Sequence, residues 1–373
     1  MNSIFRKSFL FILVSLSFLF PFFSFAQAPE EIYQAKVTSV LSEEMVPVPG
    51  TNIVANIQTI EARVLEGEYE GSVITFENDY IELRTGDRFF LGYMEDESGA
   101  VSYRVVERNR IPILAFFVGL FIVVILAFGK KQGLRSLLSL AGSLFILAYV
   151  LIPSLLRGVN PVLASVVVAT IILFIAIYFT HGFKRESTAA FLGTIIAVVC
   201  TGVLSVIAVA VCRFTGLSSD EAALLNVHSS EALNFSGLLL GGIMIGVLGV
   251  LDDIAVTQVS IVRELYSSAS HLTKKEIYSR ALRVGQEHVG ALVNTLALAY
   301  AGVSLPLLLI FSTSAYSLSV VVSQELFSVE IIRTIVGSIG LVLTVPITTF
   351  LAVYMLERYR GKEHDHSLHV HHH

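Results

Sequence analysis

Two adjacent carboxylates, Asp252 and Asp253, stand inside a long apolar run of the sequence. Between positions 235 and 262 the other formally polar side chains are those of Ser236, Thr257, Gln258 and Ser260. A charged side chain at membrane depth costs roughly 2.5–3.5 kcal/mol on insertion scales, and such acids mark ion or proton pathways. The pair therefore predicts an ion site. The competing interpretation places both acids at the cytoplasmic end of their helix, where their side chains are solvated and have no further role.

A second polar cluster opens the next apolar segment. Glu287 and His288 are followed by Asn294 and Thr295, and helical spacing puts Glu287, Asn294 and Thr295 on one face. We expect the two clusters to lie level on antiparallel helices. Carboxylate, amide, hydroxyl and imidazole groups suit a bound hard cation, a proton relay or a transition metal. The predicted ion- or substrate-binding residues are Asp252, Asp253, Thr257, Gln258, Glu287, His288, Asn294 and Thr295.

Glycines recur before the acidic pair at spacings of mostly three to five residues. Small residues at helical spacing let a neighbouring helix backbone approach closely. The sequence therefore predicts a helix-packing face made of Gly237, Gly241, Gly242, Gly246 and Gly249.

Composition places the chain among membrane proteins. Of 373 residues, 54% are hydrophobic and 15% are charged, and the mean hydropathy is +0.74. These values exclude an ordinary soluble domain and predict an α-helical polytopic protein whose surroundings are the lipid bilayer. The formal net charge of −5 gives no reason to expect nucleic acid as a partner.

The N-terminus has the pattern of a secretory signal. A basic start with Arg6 and Lys7 precedes an apolar stretch, and small residues end it at Ala26. We expect residues 1–26 to be a cleaved signal peptide; the alternative is an uncleaved anchor helix. Either interpretation sends the following residues out of the cytoplasm.

Residues 27–109 differ in composition from the rest of the chain. They are charged and carry short alternating runs, for example 57–65, 73–76, 88–93 and 101–106, which are separated by turn residues. The pattern predicts a small extracytoplasmic β-domain, with an OB-like barrel as one topology. Such a domain suits an interaction with an envelope protein.

Seven hydrophobic segments predict a transmembrane domain over residues 111–358. Each approaches the roughly 20 residues needed to cross the hydrocarbon. The segments are 111–128, 134–156, 161–180, 187–212, 235–262, 289–311 and 331–356. With the N-terminal domain outside, thirteen basic residues fall on the cytoplasmic side against three opposite, as the positive-inside rule requires. This predicts a multi-pass protein of the inner membrane with its C-terminus in the cytoplasm.

The two motifs together resemble a known family. The run from Gly242 through Asp252-Asp253 to Gln258, and the run from Gly285 through Glu287-His288 to Gly302, are similar to the signature of the YibE/F-like membrane proteins. The resemblance implies a multi-pass bacterial membrane protein. It implies little about activity.

The C-terminal tail, residues 359–373, is rich in histidine. Histidine-rich tracts bind Zn²⁺, Ni²⁺ or Cu²⁺, and a solvated tail without function is the alternative. The candidate metal ligands are His364, His366, His369 and His371.

Three functions compete. The first is a permease or ion-coupled transporter with an acidic intramembrane site. The second is a non-transporting scaffold, in which the β-domain binds an envelope protein and the glycines join helices of a homo-oligomer. The third is an enzyme that acts on a lipid-linked diphosphate through Mg²⁺ at the aspartates. The third is disfavoured because no nucleophile with an evident base accompanies the acids, so we predict no catalytic residue.

Overall fold

The computed structural model describes residues 31–47, 50, 54–95, 101–228, 233–269, 271–313 and 315–357. The predicted signal peptide and the histidine-rich tail lie outside these residues. The chain divides into two compact units, one ending at Phe128 and one beginning at Gly129 for the described residues. Each unit is described separately below.

The first unit contains a five-stranded antiparallel sheet in the order β3-β2-β1-β4-β5. The strands are β1 (Glu31–Pro47), β2 (Val54–Val64), β3 (Val73–Asn78), β4 (Arg88–Glu95) and β5 (Val101–Arg108). The sheet curls until its edge strands β3 and β5 contact each other, but these two strands are not paired, so it forms a half-barrel. Alternation explains the core: Ile60, Ala62 and Val64 are buried, while Arg63 is exposed.

None of the four strand-like runs predicted from the sequence corresponds to β1. Its pairing with β2 shifts register between Val37 and Ser39 and again between Val40 and Ser42. Each irregularity interrupts the two-residue alternation that identifies a strand in a sequence. The four predicted runs coincide with β2 to β5, and the first of them extends one residue past the end of β2.

The helical elements follow in this order: α1 (Ile111–Ile146), a π-helical turn (Leu147–Leu151), α2 (Ile152–Leu156), α3 (Pro161–Phe174), a second π-helical turn (Ile175–Phe179), α4 (Arg185–Cys212), α5 (Asp220–His228), α6 (Phe235–Ser268), α7 (Lys274–Val303), α8 (Leu305–Ser312), α9 (Leu318–Ser323) and α10 (Glu325–Met355).

Within the described residues, five helical stretches are long and apolar enough to cross a membrane, and α7 with α8 forms a sixth, broken candidate bent by 67°. The predicted first two segments fall in one 46-residue stretch, Ile111–Leu156. Lys130 interrupts it with φ 47° and ψ −127°, between the two predicted segments. The count of seven crossings stays a prediction.

The second unit is built around α10, which packs on α4, α6 and α7, while α6 also packs on α3 and α4. Small residues allow this close approach. A Cβ at Gly193 would strike Thr348, and one at Gly340 would strike Thr201. Such small-residue contacts are typical of helix interfaces in membranes.

Contacts fix the direction of the helices around α6. Gly237 and Gly241 of α6 face Pro161 and Ser165 at the start of α3, so these two helices run parallel. Helix α7 runs antiparallel to α6. Its threonine cap, in which Thr273 and Glu276 bond each other's backbone, marks where it begins.

Candidate functional site

The acidic pair lies in the second half of α6. Asp252 is partly buried, and its Oδ1 atom is buried without a hydrogen-bond partner within the described part of the chain. Asp253 is exposed. Adjacent residues on a helix point about 100° apart, which explains the difference. Burying a carboxylate oxygen without a hydrogen-bond partner is energetically unfavourable unless a proton, a water molecule or an ion binds to it.

Asp253 belongs to an exposed stripe that we call the open face of α6. Its members recur every three or four residues and are all exposed, whereas the residues between them are largely buried. Glycine makes the first half of the stripe shallow, and polar side chains fill the second half. The open face consists of Gly242, Gly246, Gly249, Asp253, Thr257 and Ser260.

The predicted glycine face is therefore split. Gly237 and Gly241 pack against α3, and a Cβ at Gly246 would lie 3.1 Å from the hydroxyl oxygen of Tyr300. Apart from its chain neighbours and the backbone of α6 itself, no atom of the described chain lies within 4 Å of a Cβ built at Gly242 or Gly249. Gly242 lies about 100° around the helix from Gly241, so it does not face α3 as Gly241 does. Packing of Gly242 and Gly249 against another molecule stays a prediction.

Gln258 lies at a three-helix junction. It is only 2% exposed, and its Nε2 donates to the carbonyl oxygen of Ala281 on α7 at 2.7 Å. Gly285 makes room for it, because a Cβ there would lie 2.7 Å from Gln258 Oε1 and 2.5 Å from Val345 of α10. The side chain thus joins α6 to α7, and its predicted binding role stays a prediction.

The predicted cluster on α7 is level with the acidic pair but faces elsewhere. Gln258 of α6 contacts Ala281 and Gly246 of α6 faces Tyr300, so the stretch of α7 between these two residues lies beside the acidic pair. Glu287 and Asn294 lie about 200° and 180° around the helix from the buried Gly285, and both are exposed. The other two members, His288 and Thr295, are exposed as well. The structure therefore does not bring this cluster into the bundle beside the aspartates.

A polar pocket of about 140 Å³ opens between the start of α4 and the C-terminal half of α6. Its polar lining comes from His181, Lys184, Glu186, Ser187, Ser260 and Arg263. Glu186 pairs with Arg263 at 3.4 Å between Oε1 and Nε. Ser260 also belongs to the open face, so the pocket adjoins it.

His181 links the polar pocket to the acidic pair. Burial lowers the pKa of His181, the Lys184 ammonium lowers it further, and the Asp253 carboxylate opposes both effects. The interaction with Asp253 shows that imidazole and carboxylate are close enough to influence each other's charge. The sequence motifs contain no signal for this neighbour, which comes from the connection between α3 and α4.

The described side chains do not form a metal site. Among the described residues, no three or more His, Cys, Asp or Glu side chains come together in a way that could hold a metal ion. The candidate ligands His364, His366, His369 and His371 lie outside those residues.

A family model described as YibE/F-like protein matches residues 117–358. The chain belongs to the YibE/F-like family. The match covers the helical region that carries both polar motifs, and the β-sheet precedes it. No curated protein and no solved structure matches the chain.

This YibE/F-like chain has a second cavity that its motifs do not indicate. It measures about 440 Å³ and lies at the break between α7 and α8, with α9 and α10 as its other walls. The wall is mainly apolar, for example Phe311 and Val321, with Tyr300 and Glu330 as polar members. Glu330 binds Arg333 at 3.0 Å. Only the fold brings these elements together.

Proposed function

We propose that this YibE/F-like protein is an ion-coupled permease in which Asp252 and Asp253 bind the coupling ion or proton. The observation that carries the proposal is the buried Oδ1 of Asp252, which has no hydrogen-bond partner within the described residues. A carboxylate kept in such a position is uncommon in a membrane helix, and it is typical of ion and proton pathways.

The open face of α6 supports a route to this site. Its glycines leave space along the helix, and the stripe continues through Asp253 and Thr257 to Ser260, which lines the polar pocket. A face that combines glycine with a carboxylate is poorly matched to lipid tails. We infer that water and the transported species occupy it.

A flux assay with purified protein in liposomes tests the proposal. Proton flux is followed with an enclosed pH-sensitive dye, and Na⁺, K⁺, Mg²⁺ and Mn²⁺ are offered in turn under a gradient. Asp252→Asn and Asp253→Asn should each abolish the flux that wild type supports. Glu264→Gln is the matched control, because Glu264 is an exposed acid on the same helix. Wild-type flux equal to that of protein-free liposomes, or flux that is unchanged in both aspartate variants, would reject the proposal.

We also infer that the protein lies in a bacterial inner membrane with the β-domain outside and the C-terminus in the cytoplasm. The basic residues near the segment ends support this orientation. A fluorescent protein fused after His373 should fold and emit, whereas alkaline phosphatase fused there should be inactive. The reverse pair of results would overturn the orientation.

A further inference from the structure

The polar pocket collects cationic and hydrogen-bonding groups from two elements and a connection. His181 and Lys184 come from the connection that precedes α4, and Ser187 comes from the first turn of α4. Arg263 comes from α6. These groups are donors or cations at neutral pH or below, and they surround one small volume.

The start of α4 adds backbone donors. This 28-residue helix begins at Arg185, and its capping residue Lys184 is extended and makes no side-chain capping bond. The first helical bond runs from the Thr188 N–H to the Lys184 carbonyl. The preceding N–H groups therefore lack helical partners, and an uncapped N-terminus carries partial positive charge that favours an anion.

Ser187 gives independent evidence for a ligand site. It is 3% exposed and lines the polar pocket, and its Oγ has no hydrogen-bond partner within the described residues. Buried hydroxyl groups in proteins are normally satisfied. A molecule in the pocket that offers an acceptor oxygen would satisfy this one.

The acidic residues nearby leave room for a further negative charge. The Glu186 carboxylate is paired with Arg263, and Asp253 is not among the residues that line the polar pocket. Lys184 forms no ion pair among the described residues. An anion would therefore meet one uncompensated ammonium group, the helix terminus and the Ser187 hydroxyl group.

We propose that the polar pocket binds a small oxyanion of the phosphate class, held by Lys184, Ser187 and the first N–H groups of α4. A volume of about 140 Å³ is well below the roughly 300–1,000 Å³ of pockets that hold drug-sized ligands. It fits inorganic phosphate or the exposed phosphate of a lipid headgroup. This is a binding site in its own right and does not depend on transport.

Calorimetric titration of sodium phosphate into the purified full-length protein, in neutral detergent and at constant ionic strength, tests the site. Wild type should bind phosphate saturably. Lys184→Gln and Ser187→Ala should each weaken binding by about tenfold, the value expected for one charge-assisted hydrogen bond. Lys275→Gln, which removes an exposed lysine at the start of α7, should bind as wild type does. A thermal unfolding curve without phosphate verifies that each variant is folded.

A second titration separates the two sources of phosphate. Phosphatidic acid that competes with phosphate, while phosphatidylcholine does not, would identify a lipid headgroup as the ligand. Phosphate binding without such competition would identify the free anion. Absence of saturable phosphate binding to wild type, or equal loss in all three variants, would overturn the site. Because the readout is binding, it is unaffected by whether the aspartate variants alter flux.

Discussion

The Gln258 amide on α6 donates to the Ala281 carbonyl on α7, and this buried 2.7 Å hydrogen bond lies less than two turns beyond Asp252. It fixes the register of two antiparallel helices. Together with the approach of Tyr300 to Gly246, it places the acidic pair level with the polar stretch of α7. The same register shows that Glu287 and Asn294 turn away from the pair.

Replacing Gln258 should loosen this helix pair. Gln258→Leu keeps the volume similar but removes the hydrogen bond to Ala281, and interhelical bonds of this kind are worth about 0.5–2 kcal/mol. Thermal unfolding in detergent should show a lower melting temperature. Gln286→Leu, at an exposed position of α7, should leave it unchanged. Equal melting temperatures of the two variants would show that the Gln258–Ala281 hydrogen bond does not contribute to stability.

The junction should also reject a methyl group at Gly285. A Cβ there would lie 2.5 Å from Val345 Cγ1 and 2.7 Å from Gln258 Oε1, and such overpacking typically costs about 1–3 kcal/mol. Gly285→Ala should therefore lower the melting temperature. Gly290→Ala, where no described atom from outside the α7 backbone lies within 4 Å of a built Cβ, should raise the melting temperature slightly or leave it unchanged, because alanine favours the helix. An unchanged melting temperature of Gly285→Ala would contradict the close packing of the three helices at this position.

His181 should make stability depend on pH. Burial first, and Lys184 second, lower its pKa below the ordinary value, so the unfolded chain takes up a proton before the folded chain does. Stability from this group is complete above the unfolded pKa of about 6.5 and is lost as pH falls toward the lowered folded value. The melting temperature of wild type should fall across that window. His181→Gln should show a shallower fall, and an identical profile would contradict the assignment.

Glu325 should hold the connection after α4 against the start of α10. Its carboxylate accepts from the Thr215 N–H at 2.8 Å and from the Gly216 N–H at 2.7 Å. Glu325→Ala leaves both donors without this acceptor, at a cost of about 1–3 kcal/mol if water does not replace it. Limited proteolysis should cut faster near residue 215 in this variant. Glu264→Ala, at an exposed acid of α6, should be cut at the wild-type rate.

Parts of the fold follow directly from local pattern. The apolar segments are helical because their length and composition leave few alternatives, and the alternating runs of the N-terminal unit are strands. The two-residue hydrophobic period alone could not locate β1, because irregular pairing near Val37 and Val40 disturbs the alternation of buried and exposed residues in this strand. Asp252 and Asp253 point in different directions because adjacent residues on a helix lie about 100° apart.

The site was less predictable. Spacing indicates which residues share a helical face, but the direction of that face depends on the packing of neighbouring helices. Glu287 and Asn294 share a face that turns outward for this reason. The polar pocket joins Ser187 to Arg263, which are far apart in the sequence. Its basic residues have a sufficient explanation in the positive-inside rule, so composition alone does not single them out.

Thiol accessibility along the open face tests most directly whether water reaches the acidic pair. Gly249→Cys and Thr257→Cys are made in a background in which Cys200 and Cys212 are replaced by serine, since both are free cysteines. We predict that a water-soluble thiol reagent modifies both new cysteines in intact membranes, while Ile207→Cys, exposed on the apolar helix α4, stays unmodified. If all three positions are equally inert, the open face lies against lipid or protein, and the ion pathway proposed for Asp252 and Asp253 is wrong.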